Sequence, residues 1–122
     1  MRIRVLPAPT IFDNVPADHH LAHEEIFGPV LTVTTLETEE EAIDIANGTP
    51  YGLVAGVWTE NASRAHRVAD ASECGRVFIN HYGAGAGITH PFRGYKHSGF
   101  GREKGLEALR NYTQVKNVAL KY

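Results

Sequence analysis

The chain has 122 residues, 43% of them apolar, and a formal net charge of −2 from 12 basic and 14 acidic residues. That is one domain's worth of chain, with no basic block to support nucleic-acid binding and no apolar run long enough to span a membrane. Its single cysteine excludes an intrachain disulfide and fits a reducing compartment, so the expected location is cytoplasmic.

Arg2 to Leu6 alternates basic and apolar residues and reads as a short half-buried strand. No apolar h-region follows, so the segment does not read as a signal peptide. Pro7 and Pro9 interrupt it before Thr10-Ile11-Phe12 resumes an extended course toward the turn residues Asp13-Asn14. Segment 16–25, with Pro16, Asp18, His19, His20 and His23, reads as irregular. Val30 to Leu36 is rich in β-branched residues and reads as a strand. Thr38 and Glu41 then have the spacing of a capping box, with Ala42, Ile43, Ile45 and Ala46 as the apolar face of a helix. Gly48 sits where a helix end takes left-handed geometry, and Pro50 beyond it is a stop.

Leu53 to Trp58 reads as a second strand and Asn61 as the N-cap of a second helix. Ala62, Ala65, Val68, Ala69 and Ser72 share a face of that helix, which ends at Gly75. Arg76 to Asn80 is the third strand. Strands alternating with helices over short connections predict a three-layer α/β fold, its mostly parallel sheet flanked by helices, with right-handed crossovers. Residues 81–101 have no periodicity and read as a long loop. Arg102 to Arg110 suits one or two helical turns, weakened by Gly105. The tail from Tyr112 to Tyr122 reads as a strand without a hairpin partner, which must pair with something distant or with another chain.

Chemistry is sparser. Glu25 and Phe27 stand beside Gly28-Pro29, a pair that stiffens the start of the strand. A carboxylate and a flat ring held there suit a ribose diol and the planar base next to it, but the stretch alone favours a solvated glutamate pair with Phe27 buried in the core. Gly83-Ala84-Gly85-Ala86-Gly87 follows a strand but lacks dinucleotide-loop spacing and opens no helix. It reads as a flexible loop at the carboxyl end of a strand, where ligands approach an open parallel sheet. Gly99-Phe100-Gly101 lacks the ending of a P-loop. His19 and His23 have no second pair at ligand spacing, so the histidines read as surface residues and no metal is expected. Cys74, with no base nearby, reads as a buried inert thiol.

Taken together, the motifs resemble the carboxyl-terminal part of an NAD(P)-dependent aldehyde dehydrogenase. The matching pieces are Pro9-Thr10-Ile11-Phe12, Glu24 through Val30, Tyr51-Gly52-Leu53, Gly75 through Asn80, and Pro91-Phe92. Gly94 through Glu103 and Tyr112 through Lys116 complete the set, in order and over nearly all of the chain from Pro9. The resemblance implies oxidation of an aldehyde to a carboxylic acid with NAD or NADP. It assigns Glu25 to the nicotinamide-side ribose and Phe27 to the nicotinamide itself. Phe92 resembles the aromatic that lines the aldehyde channel, with loop 81–91, including Tyr82, shaping its mouth. Glu103 resembles a glutamate on the proton-relay side. Residues 1–111 would be part of the catalytic domain, and 112–122 an oligomerisation strand that docks on a neighbouring subunit.

The departures from the family set equally definite expectations. The family's nucleophilic cysteine and general-base glutamate lie upstream of everything present, and Cys74 does not match the nucleophile's motif. No catalytic residue is therefore assigned, and the isolated chain is expected to be inactive. Arg93 replaces the glycine usual after Pro-Phe. Met1 to Leu6 departs from the usual lead-in. The rival expectations are a stand-alone assembly module, using tail 112–122 and the exposed sheet to form a homo-oligomer or to join a full-length relative, and a small nucleotide-binding protein using Glu25 and Phe27.

Overall fold

The computed structural model describes residues 7–83 and 87–122, so the strand expected at Arg2–Leu6 and the middle of the 83–87 glycine loop lie outside the described residues. The chain divides into two compact units, Met1–Pro50 and Tyr51–Tyr122.

In the first unit, β1 (Thr10–Phe12) pairs in parallel with β2 (Val30–Thr32), setting Ile11 opposite Leu31. The ladder continues past both ends through Thr10 N–H to Pro29 O at 2.9 Å and Val33 N–H to Phe12 O at 2.8 Å. The expected strand was longer, to Leu36. Pairing stops where Val15, a buried residue, takes the Val33 carbonyl and β1 supplies no further backbone partner. Segment 16–25, expected to be irregular, contains a single helical turn, α1 (His20–His23). His19 supplies its cap, the ring Nδ1 accepting from the Leu21 N–H at 3.2 Å.

The capping box forms as its spacing predicts. Thr38 Oγ1 accepts from the Glu41 N–H at 3.1 Å, and Glu41 Oε2 accepts from the Thr38 N–H at 3.3 Å, opening α2 (Glu39–Asn47). Gly48, however, ends α2 at φ −70° and ψ 0°, in the right-handed region and not the left-handed one expected. Its N–H still closes on Asp44 O, and its carbonyl accepts from the His23 ring at 3.0 Å, so the last turn needs no left-handed residue.

The second unit is built on β4 (Ala55–Val57), α3 (Ala62–Ala71) and β5 (Val77–Ile79), a β-α-β sequence whose two strands pair in parallel. Asn61 Oδ1 caps α3 by accepting from the Arg64 N–H at 2.9 Å. Ala65, buried, faces the ladder with Phe78, also buried. The small face expected on this helix is what lets it lie close to the strands. It ends at Ser72 and not at Gly75, because the Ser72 hydroxyl turns back to Val68 O at 2.6 Å.

Residues 81–101, expected as one long loop, contain pairing of their own. β3 (Tyr51–Gly52) runs antiparallel to β6 (Tyr95–Lys96), and Phe92 forms an antiparallel bridge with Glu103. The following helix is a 3₁₀ segment, Leu106–Tyr112, that begins after Gly105 and extends beyond Arg110. The tail expected as a strand joins no ladder among the described residues. The chain is thus mixed α/β, and among the described residues two of three ladders are parallel and each is two-stranded.

Candidate functional site

Glu25 and Phe27 sit on a turn whose shape follows from the sequence. The Gly28 N–H donates back to Ile26 O and the Val30 N–H to Gly28 O, two successive three-residue turns centred on Phe27 and Pro29. Pro29 is suited to the second because its ring already fixes φ near the value such a turn needs. The Thr10 N–H then anchors Pro29 O to β1. This leaves Phe27 94% exposed, so the core phenylalanine that the stretch alone favoured is not what forms. Glu25 is exposed as well and makes no ion pair among the described residues.

In the second unit, Tyr82 and Phe92 line one cavity of about 420 Å³. Phe78 forms its buried wall, with its ring centroid 5.3 Å from that of Tyr82. Gly75 fixes the position of Phe92: the backbone of Arg93 passes so close that a Cβ at Gly75 would overlap the Arg93 carbonyl. Asn80, at φ 56°, closes the carboxyl ends of β4 and β5. Its side chain accepts from the Thr59 N–H at 2.9 Å and donates to Thr59 O at 3.0 Å.

Glu103 pairs its backbone with Phe92 in both directions, at 2.7 and 2.8 Å. Its carboxylate reaches Arg93 Nη1 at 3.4 Å, a long and largely exposed contact. An ion pair of that kind holds its partners only weakly. Arg93 also lies over the ring of Phe100, 5.8 Å from its centroid. Glu103 and Arg93 face a second, larger cavity of about 850 Å³ with Ile88, Leu106 and Asn111.

Cys74 is half-buried, less enclosed than expected, because α3 has already ended. Its thiol donates to Arg76 O at 3.2 Å, which occupies it with the backbone. His19 and His23 serve as a helix cap and a brace, and no cluster of three or more metal-ligating side chains occurs among the described residues. Nor is any helix among them long and apolar enough to cross a membrane. Sequence reasoning passed over two cations at the Tyr82–Phe92 cavity, Arg76 and Lys104. No spacing rule links them, since Lys104 is held by the Phe92–Glu103 bridge on one side and the Gly105 N–H to Ile88 O bond on the other.

The sequence pattern of the aldehyde dehydrogenase family matches residues 4–118. The NADP/NAD-dependent aldehyde dehydrogenase PuuC of Escherichia coli is 50% identical over 110 residues, which cover 90% of this chain and 22% of that protein. The chain therefore spans about a fifth of the length of the curated relatives it matches. Among solved structures, a mutant of the indole-3-acetaldehyde dehydrogenase AldA of P. syringae, in complex with NAD+ and IAA, superposes with a TM-score of 0.84 at 56% identity. The match covers 88% of this chain and 22% of that one. The NAD+ complex of an aldehyde dehydrogenase from Bacillus cereus gives a TM-score of 0.83 at 49% identity over the same shares.

Proposed function

Since the chain belongs to the aldehyde dehydrogenase family, we propose that it supplies the carboxyl-terminal part of a site that oxidises an aldehyde to a carboxylic acid with NAD or NADP. The observation that carries this is the braced turn at Glu25–Phe27. A carboxylate without an ion pair among the described residues can accept from two vicinal ribose hydroxyls, and an outward ring can flank a planar base. The nicotinamide, when bound, takes up the hydride that leaves the substrate. Glu25 would orient the ribose, Phe27 would limit the position of the base, and Phe92 and Tyr82 would wall the aldehyde's path. Glu103 would lie on the proton-relay side, positioned through its backbone pairing with Phe92.

The isolated chain does not itself turn over aldehyde in this reading. Its one thiol is bonded to a backbone carbonyl, the Arg76 oxygen at 3.2 Å. The test has two arms. Adding NAD or NADP should stabilise the chain against thermal unfolding, by roughly 2.7 kcal/mol at a hundredfold excess over Kd, and Glu25→Gln should remove most of that gain. No reduced nicotinamide should form with any aldehyde. Turnover that survives Cys74→Ala would show that the missing nucleophile is a misreading.

A second reading concerns association and has its own support. Val115, Val118, Leu120 and Tyr122 are exposed on a tail with no ladder partner among the described residues, and β1–β2 exposes Ile11 beside Leu31. We propose that the tail pairs with another copy of the chain to form a homo-oligomer. The lone cysteine supports the cytoplasm as the place where this happens.

A further inference from the structure

The cavity at Tyr82 and Phe92 carries a charge that the aldehyde-channel reading does not use. Its lining includes Leu53, Arg76, Phe78, Tyr82, Phe92 and Lys104, and among the described residues it contains no carboxylate. The Arg76 guanidinium lies 4.8 Å from the centroid of the Phe78 ring, and Lys104 Nζ lies 5.4 Å from that of Phe92. Neither cation has an ion pair among the described residues. Both rest on ring faces at the rim of one recess, so two positive charges converge on three aromatic walls.

Lys104 keeps this place through an uncommon backbone. Its φ is 59°, in the left-handed region that a residue with a side chain seldom takes. It is pinned on both sides: Glu103 is bridged to Phe92, and the Gly105 N–H donates to Ile88 O at 2.7 Å. Local strain of this sort persists only where the surroundings over-determine it. Here the pinned corner presents an ammonium to the ring of Phe92.

We propose that this cavity binds aldehydes that carry a carboxylate on a flat apolar body, with Arg76 and Lys104 as the counter-charges. The inference rests on the reading of Phe92 and Tyr82 as channel residues and adds the chemical class of the substrate. A volume of about 420 Å³ falls within the usual range of small-molecule sites, about 300–1,000 Å³. Phe78, Tyr82 and Phe92 sandwich the flat body, while the guanidinium fork and the ammonium bond the carboxylate oxygens. A neutral aldehyde would leave both charges unanswered.

Benzoate and benzyl alcohol are the probes for the test, since an aldehyde would condense with lysine amines. Titrated into the full chain, benzoate should move the ring resonances of Tyr82 and Phe92 and bind about tenfold tighter than benzyl alcohol. Arg76→Gln combined with Lys104→Gln should remove that advantage, bringing the affinity for benzoate down to that for benzyl alcohol. Should the double variant unfold, Lys104→Gln alone, at an exposed side chain, should still lose part of the preference for benzoate. Equal affinity for the two probes, with the same ring resonances moving, would overturn the proposal while leaving the channel reading intact. If neither probe moves those resonances, the channel reading falls and takes the proposal with it.

Discussion

Gly75 shows how one residue can hold a site at a distance. The Arg93 carbonyl occupies the space a Cβ would need, and the Gly75 N–H donates to Gly52 O at 3.0 Å, so the glycine is clamped between two crossing segments. Gly75→Ala must push the Arg93 backbone away, and Phe92 with it. We expect a loss above about 3 kcal/mol, read by thermal unfolding; a melting temperature unchanged within a few degrees would contradict the close approach. Asn80 is a second such residue. An asparagine tolerates positive φ, and its amide bonds both backbone groups of Thr59. Asn80→Ala removes two hydrogen bonds and leaves a strained backbone, for a loss of about 1–3 kcal/mol. Denaturant unfolding checks it, and no change in midpoint would refute the clamp.

At the scale of elements, α2 rests on its capping box more than on burial, since none of its residues is fully buried. Thr38→Ala removes the acceptor for the Glu41 N–H and should cost about 1 kcal/mol. A helix signal that melts at the same denaturant concentration as the parent would argue against it. α3 differs, because Ala65 is buried against β4–β5. Replacing Ala65 by a larger apolar residue should therefore cost more than the cap at α2, by about 1–3 kcal/mol of overpacking. The β3–β6 ladder is only two residues long, and Ser98 supports it by accepting from the Gly52 N–H through its hydroxyl at 3.1 Å. Side chains thus supply what so short a ladder cannot.

For the whole molecule the decisive feature is apolar surface without cover. Exposed large side chains include Ile11 and Leu31 on β1–β2, Leu106, 84% exposed, on the 3₁₀ segment, and Val115, Val118, Leu120 and Tyr122 on the tail. Large apolar side chains exposed together on a tail without a ladder partner among the described residues mark an interaction site. The chain should therefore self-associate in a concentration-dependent way in sedimentation experiments, and removal of residues 113–122 should weaken that association without changing the melting of the parent elements. A chain that stays monomeric at high concentration would remove the support for tail pairing. The tail forms no strand alone because a strand's hydrogen bonds require a partner, and ordering without one costs conformational entropy.

The sequence by itself determined the features whose physics is local. Thr38 with Glu41, and Asn61 ahead of a small-faced helix, satisfy orphan backbone groups within four residues of themselves, so α2 and α3 were legible. The centres of four strands were legible for the same reason, through β-branched and apolar runs. So was the stiff turn around Glu25 and Phe27, which Pro29 largely dictates, and the family resemblance carried by motifs in order. Tertiary structure alone decided how long each strand runs, because a ladder lasts only as far as its partner offers backbone groups. It alone showed the Phe92–Glu103 bridge and β6 inside an apparent loop, the right-handed end at Gly48, and the placing of Arg76 and Lys104 on one cavity. Those features join residues distant in the chain, and hydrogen bonds and charges act through space, so no local pattern records them.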